Sequence, residues 1–212
     1  MKREELSAST KPDNVKYHHG NLKQALLDNA LSIIEGNGLD ALSLRKLAAT
    51  IGVNQTALYS HFKNKNELMK DLARHGFSQL SQSMNTQLEK TPSAERALLE
   101  LAHVYLLFAQ HNPELFKLMF SPEFTELHKN DDDLWKTSEE SFHIYEAVIG
   151  DYLSLKGSKA NPKLASLAAW SFIHGFCHLI IGDRLSQDTL VLLNNGHLLE
   201  GLIGVIQCGL DN

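Results

Sequence analysis

A short run of polar residues around position 58 has the side-chain types that contact DNA base edges. Gln55 can form two hydrogen bonds with adenine, hydroxyl groups can bond to several bases, and the methyl of Ala57 suits the thymine methyl. The candidate base contacts are Gln55, Thr56, Ala57, Tyr59, Ser60 and His61. Three nearby residues suit the phosphate backbone, namely Ser43, Arg45 and Lys65. This composition predicts a DNA-binding surface.

A second set, His174, Cys177 and His178, has the spacing i, i+3, i+4, which brings all three to one helical face. Imidazole and thiolate groups can bind zinc. However, the run offers no fourth ligand and lacks the glutamate of an H-E-x-x-H motif. We therefore predict buried residues of a packed or effector-lined helix, with no metal site, no cofactor and no enzyme activity. The alternative is a helical metal-dependent hydrolase that uses these three residues.

Residues 36–41 formally fit the dinucleotide fingerprint G-x-G-x-x-G/A. That motif requires a strand before it, whereas an amphipathic helical pattern precedes it here. We interpret Gly36-Asn37-Gly38 as the stop signal of this first helix.

The elements that must position these residues are predicted to be helices throughout. Leu22, Leu26, Ala30 and Ile33 recur at helical spacing, and no alternating run is long enough for a strand. The fold class is therefore all-α.

Two short helices across Gly52 form the expected helix–turn–helix. Ser43 and Asn54 are the predicted N-caps of these helices, and Leu58 and Phe62 are the predicted anchors of the second. Asn64 with Glu67 predicts a capped start for a long fourth helix.

In the remainder of the chain, proline and aspartate residues mark the expected helix starts. They are Pro92, Pro113, Pro122, the run 131–133 and Pro162, and a last helix is expected over about 190–208. Residues 164–182 carry no Asp, Glu, Lys or Arg, and their number approaches the roughly 20 residues that a membrane span needs. Because this run contains two histidines and two serines, we predict a buried helix of a soluble protein without a membrane partner.

The charge of the chain is divided unevenly along its length. The whole chain has a net charge of −5. Residues 1–75 hold 11 Lys and Arg against 8 Asp and Glu, a net +3, whereas residues 76–212 carry −8. A basic N-terminal third on an acidic body predicts two parts with different partners. The polar first residues and two cysteines outside any C-x-x-C spacing predict a cytoplasmic protein.

The N-terminal third contains a series of motifs in a characteristic order, at residues 17–22 (Tyr-His-His-Gly-Asn-Leu), 42–48, 52–53, 57–65 and 68. Together they resemble the TetR (tetracycline-repressor-like) family of bacterial transcriptional regulators. The resemblance implies three N-terminal helices that bind DNA and a larger helical body that dimerises and binds a small effector. It also implies recognition-helix contacts by Gln55, Thr56, Ala57, Tyr59 and His61, and backbone contacts by Ser43, Arg45 and Lys65.

A second match lies in the body, where Trp170, His174 and Gly175 resemble the Trp-x-x-x-His-Gly signature of a TetR subgroup. We divide the chain into a flexible arm (1–16), a helix–turn–helix domain (17–64) and a regulatory and dimerisation domain (65–212).

The last helices are apolar on more than one face, which predicts a homodimer. Leu198, Leu202 and Val205 lie on one side, and Leu199, Ile203 and Ile206 on another. A helix with one partner surface needs only one apolar stripe. With the 164–182 helix they are expected to form a two-fold four-helix bundle.

The expected function is a ligand-responsive transcriptional regulator, most often a repressor in this family, which binds a palindromic operator in double-stranded DNA. Its effector is unknown, and an apolar or aromatic molecule is expected from the candidate pocket residues Phe108, Phe116, Met119, Trp170 and His174. Besides the hydrolase, a helical adaptor that binds proteins through its acidic body is an alternative.

Overall fold

The computed structural model describes residues 22–129, 131–194 and 197–210. The predicted arm and the Tyr17–Asn21 part of the first motif lie outside the described residues. Within them the chain forms helices and no strand, which confirms the all-α prediction. The helices are α1 (Leu22–Asn37), α2 (Leu44–Ile51), α3 (Gln55–Tyr59), α4 (Lys65–Leu88), α5 (Ala94–His111), α6 (Pro113–Met119), α7 (Pro122–His128), α8 (Asp132–Lys156), α9 (Pro162–Ile181), α10 (Gln187–Asn194) and α11 (His197–Leu210), with a 3-10 turn at Leu39–Ala41.

The first three helices form a small head around a buried apolar centre. Leu26, Ile34, Leu47 and Leu58 are fully buried there. The first helix ends at Asn37 and Gly38 has a φ of 79°, as the glycine stop predicted. This left-handed conformation suits glycine because it has no Cβ.

The long helix α4 connects the head with the body. Asn64 caps its start by accepting a hydrogen bond from the Glu67 N–H at 3.0 Å, as predicted. Its first turns bury Leu68 and Leu72, and its later turns bury Phe77 and Met84. In the body α4 packs on α5 and α8, α9 packs on both of these, and α6 and α7 close one end. The proposed domain boundary at residue 65 stays a prediction, because α4 belongs to both parts.

A last helix is predicted over about 190–208. The structure describes helix at Gln187–Asn194 (α10) and at His197–Leu210 (α11), and residues 195–196 lie outside the described part. Helical structure is therefore confirmed over the described part of this range.

Helix α9 is, among the described residues, the one helix long and apolar enough to span a membrane by length and composition. Core helices also pass this test. One face of α9 is buried, through Ala169, Ile173 and Cys177, but Leu164 and Leu179 remain 67% and 46% exposed. The helix is therefore buried on one side in the protomer, and its other side is exposed.

Candidate nucleic-acid interface and ligand cavity

The helix–turn–helix is built by three local capping interactions. Ser43 Oγ accepts a hydrogen bond from the Lys46 N–H at 3.1 Å, and Asn54 Oδ1 accepts one from the Thr56 N–H at 2.6 Å. Gly52 ends α2 with a φ of 70°, a left-handed value that turns the chain toward α3. Both predicted N-caps are thus confirmed, and they orient α3 relative to α2.

Helix α3 turns its apolar side inward and its polar side to solvent. Leu58 is fully buried, and Phe62 just beyond the helix is 1% exposed. The exposed residues are Gln55, Thr56, Tyr59, Ser60 and His61, while Ala57 is half-buried between them. All six predicted base contacts therefore lie on or beside one accessible surface, which we call the α3 face.

The three predicted phosphate contacts have different surroundings. Arg45 is exposed and makes no ion pair with a described residue. Ser43 is exposed, and its cap uses the oxygen while leaving the hydroxyl hydrogen to donate. Lys65 is half-buried, and its ammonium donates to the Leu39 carbonyl at 3.2 Å, which ties α4 to the 3-10 turn. Arg45 is thus the more available of the two cations.

Two groups of polar contacts, among the described residues, join α1 of the head to the body. The carboxylate of Glu35 in α1 accepts hydrogen bonds from the backbone N–H groups that begin α6. Near the start of α4, Lys23 of α1 pairs with Asp71, Arg74 pairs with both Asp71 and Asp131, and Asp131 is the N-cap of α8. These contacts join α6 and the start of α8 to α1 through Glu35 and through the Asp71–Arg74–Asp131 ion pairs.

A cavity of about 400 Å³ lies in the body between α4 and α9. Its wall is mostly aromatic, with a few polar groups. It is lined by Phe77, Tyr105, Met119, Phe120, Phe124, Thr125, His128, Trp135, Ser138, Glu139, Ser141, Phe142, Tyr145, Leu167 and Trp170. Size and composition are typical of a small-molecule site.

One wall of the cavity is organised by the Tyr105 hydroxyl. Trp170 Nε1–H donates to Tyr105 Oη at 3.1 Å, and Oη lies 2.9 Å from His174 Nδ1. His174 Nε2 in turn lies 3.2 Å from His178 Nε2. A consistent assignment has the Tyr105 hydroxyl donate to Nδ1 of a neutral His174, whose Nε2–H donates to His178. This is the structural role of Trp170 and His174 in the Trp-x-x-x-His-Gly motif, while the subgroup itself stays a prediction.

Burial sets the protonation of this wall. Burial, followed by the neighbouring His178, lowers the pKa of His174 from 6.5 to about 4. Burial also raises the pKa of the Tyr105 and Tyr145 hydroxyls well above their usual value. At neutral pH the tyrosines remain protonated and His174 remains uncharged, so the chain of hydrogen bonds is maintained.

The predicted pocket residues are only partly brought together. Met119 and Trp170 line the cavity. Phe116 and His174 lie behind its wall, with ring centroids 5.5 Å and 6.2 Å from that of Tyr105. Phe108 instead borders a separate surface groove with Val104 and His111. No ligand tests these assignments, so they stay predictions.

Sequence reasoning missed the contribution of α8 to the cavity. Trp135, Glu139, Phe142 and Tyr145 recur at helical spacing and all line it. An aromatic stripe interrupted by one carboxylate along α8 was the available signal.

The residues of the hydrolase alternative do not form a ligand set. Cys177 is fully buried, and burial raises the pKa of its thiol to about 12, which keeps it protonated. His174 is engaged with Tyr105 and His178. Within the described ranges, no three His, Cys, Asp or Glu side chains are grouped to hold a metal ion.

The outer side of α9 carries an apolar stripe with small residues in its middle. Leu164, Ala168, Phe172, Gly175 and Leu179 follow one another along it, and all are exposed. A Cβ placed on Gly175 would have nothing within 4 Å. We call this surface the α9 stripe.

Helix α11 also exposes part of its predicted dimer surface. Val205 is 66% exposed, Ile206 is half-buried and Ile203 is 3% exposed. The side chains of the other predicted residues, Leu198, Leu199 and Leu202, lie outside the described part.

Two family models match the chain in the order that its architecture requires. The model described as "Bacterial regulatory proteins, tetR family" matches residues 26–72, and "Tetracyclin repressor-like, C-terminal domain" matches residues 98–193. The chain belongs to the TetR family. Both parts of this TetR-family protein, the head and the body, are recognised separately.

Curated relatives resemble this TetR-family protein over part of their length. It is 28% identical to the nucleoid occlusion factor SlmA of Photobacterium profundum over 100 residues, which are 47% of this chain and 51% of that protein. The chain spans about half the length of the curated relatives that it matches first.

Solved structures resemble it over nearly the whole chain. A protein of unknown function from Rhodococcus sp. RHA1 has a TM-score of 0.74 at 24% identity, covering 93% of this chain and 97% of the other. The transcriptional regulator FadR of Bacillus subtilis, solved in complex with stearoyl-CoA, has a TM-score of 0.66 at 17% identity, covering 85% and 97%. At these identities the likeness shows a shared fold.

Proposed function

We propose that this TetR-family protein is a DNA-binding transcriptional regulator, and that it is a repressor whose affinity for its operator is changed by a small molecule. The observation that carries the proposal is the α3 face. Its polar residues are exposed while Leu58 and Phe62 bury the opposite side, so a helix with base-contacting side chains is held rigidly at the surface. The protein acts in the cytoplasm, where the chromosome is accessible to it.

The α9 stripe supports a homodimer. Exposed Leu164, Phe172 and Leu179 cost free energy in water, and Ala168 and Gly175 allow a second helix to approach closely. A two-fold dimer would present two α3 faces to successive major grooves about 34–36 Å apart, so the operator is a palindrome.

The cavity supports a small-molecule effector. Residues of α6, α8 and α9 form part of its wall, and the wall is mostly apolar. The structurally similar regulator FadR of Bacillus subtilis was solved in complex with stearoyl-CoA, so a protein of this fold can bind a small molecule. An effector releases the protein from DNA only if it binds the conformation with low affinity for DNA more tightly than the DNA-bound conformation. The Glu35 and Asp131 contacts between body and head offer a route for that coupling.

Selection of bound sequences from random double-stranded DNA tests the function. We expect enrichment of a palindrome whose half-site spacing matches a dimer. A protein that enriches no sequence while remaining folded would contradict the proposal.

A further inference from the structure

We propose that the cavity binds an aromatic organic cation, held by aromatic rings and by the carboxylate of Glu139. This inference rests on the proposed function, because it names the chemical class of the effector.

The wall supplies an unusual number of aromatic rings for a cavity of about 400 Å³. The contributing residues are Phe77, Tyr105, Phe120, Phe124, Trp135, Phe142, Tyr145 and Trp170. Aromatic rings present negative potential on their faces and attract cations, most strongly when the cation is desolvated. They also stack with aromatic ligands. The rings therefore suit a flat or branched aromatic body that carries a positive charge.

Glu139 is the acidic residue of the wall, and the described residues that line it include no lysine or arginine. Glu139 makes no ion pair with a described residue. It is half-buried beside Trp135, whose ring is 49% exposed at the edge of the cavity. A carboxylate held beside apolar rings without a counter-ion is stabilised by a ligand that brings the counter-ion.

Two cations of α4 are paired with carboxylates outside the cavity wall. Lys70 pairs with Asp131 and Glu67, and Arg74 pairs with Asp131 and Asp71. His128 lines the cavity, and its Nε2 lies 2.7 Å from Ser138 Oγ. Burial lowers the pKa of His128, so this ring adds no positive charge at neutral pH. An anionic ligand would meet the Glu139 carboxylate, and the described residues that line the cavity offer it no lysine or arginine.

The chain provides its own reporter for binding. It contains two tryptophans, Trp135 and Trp170, and both line the cavity. Intrinsic tryptophan fluorescence therefore responds to occupancy of this site. The probes are tetraphenylphosphonium and tetraphenylborate, aromatic ions of the same shape and opposite charge.

We expect tetraphenylphosphonium to quench the fluorescence in a saturable manner and tetraphenylborate to bind at least about tenfold more weakly. Glu139→Gln, which keeps the shape and removes the charge, should weaken phosphonium binding about tenfold. Glu139→Lys should reverse the preference between the two ions. Glu140→Gln is the matched control, since this exposed neighbour does not line the cavity, and it should bind like the wild type.

Equal binding of the two ions, a preference for the anion, or no fluorescence response would overturn the proposal, as would unchanged affinity in Glu139→Gln. The DNA selection described above is read separately. A palindrome without cation binding refutes the ligand class and leaves the regulator intact, whereas cation binding without sequence enrichment refutes the regulator.

Discussion

The carboxylate of Glu35 accepts a hydrogen bond from the backbone N–H of Leu115 at 2.8 Å, and its second oxygen accepts one from the Glu114 N–H at 3.2 Å. A residue at the end of the head helix α1 thus caps the first turn of α6, where the local partner Asn112 makes no side-chain cap. The negative charge also complements the positive end of the helix. Because Met119 of α6 lines the cavity, Glu35 links the head to a helix of the cavity wall.

Replacing Glu35 with alanine is therefore expected to weaken the coupling between effector and DNA. Loss of a charged cap should lower the free energy of unfolding by about 1 kcal/mol. More specifically, an effector that releases the wild type should release Glu35→Ala less completely in a DNA mobility assay. Asp28→Ala, at an exposed position of the same helix, should respond like the wild type. Full effector response in Glu35→Ala would show that this contact is only structural.

Tyr59 is the large side chain of the α3 face and is 50% exposed. Replacing it with alanine should abolish measurable operator binding, because it removes a large contact in the major groove and an O–H group from the α3 face. Dimerisation and helix content should not change, since the side chain supports no core. Mobility assays at fixed salt give the affinity, and sedimentation gives the oligomeric state. An unchanged affinity would refute the assigned role.

Arg45 is exposed at the start of α2 and is predicted to contact phosphate. Arg45→Ala should weaken specific and nonspecific DNA alike and reduce the slope of log K against log salt by about 1, because one counterion contact is lost. Lys90→Ala, an exposed cation outside the head, is the matched control and should keep the full slope. A sequence-dependent loss would instead identify Arg45 as a base contact.

The lowered pKa of His174 makes the free energy of unfolding depend on pH. Its pKa falls from 6.5 to about 4 on folding, so between these values the unfolded chain binds a proton that the folded chain does not. Stability should therefore be lost as the pH falls from about 6.5 toward 4. His128, whose pKa is also lowered by burial, acts in the same direction.

Denaturant unfolding at pH 7 and at about pH 4.5 measures this effect. His174→Gln should be less stable than the wild type at pH 7, because the Tyr105 network is broken, but its loss between the two pH values should be smaller. His143→Gln alters an exposed histidine and should parallel the wild type. Parallel profiles for wild type and His174→Gln would contradict the assignment.

A substitution at Gly175 tests whether the α9 stripe is the homodimer interface. Because a side chain there meets nothing within 4 Å in the protomer, Gly175→Glu should fold normally and improve helix propensity. In a dimer packed through the α9 stripe, the same side chain would bury a charge and separate the helices, so sedimentation should show a monomer at micromolar concentration. Gly150→Glu, at another open helical glycine, should remain dimeric. A dimeric Gly175→Glu would place the interface elsewhere.

The local architecture of the head could be predicted from sequence because it depends on neighbouring residues. Ser43, Asn54 and Asn64 cap helices through atoms two or three positions away, and Gly38 and Gly52 stop helices by their own backbone freedom. Leu58 and Phe62 were predictable as anchors because helical spacing alone determines which side of α3 is apolar.

The cavity and its connection to the head were decided only by tertiary structure. Tyr105 and His174 are 69 positions apart, and their side chains approach to 2.9 Å only because helices α5 and α9 pack together. Glu35 meets Leu115 across 80 positions. An aromatic residue serves equally well in a core or in a ligand wall, so Phe108 and Phe142 could not be told apart by type. The side on which each ring lies depends on how whole helices pack, and helix packing is a property of the assembled chain.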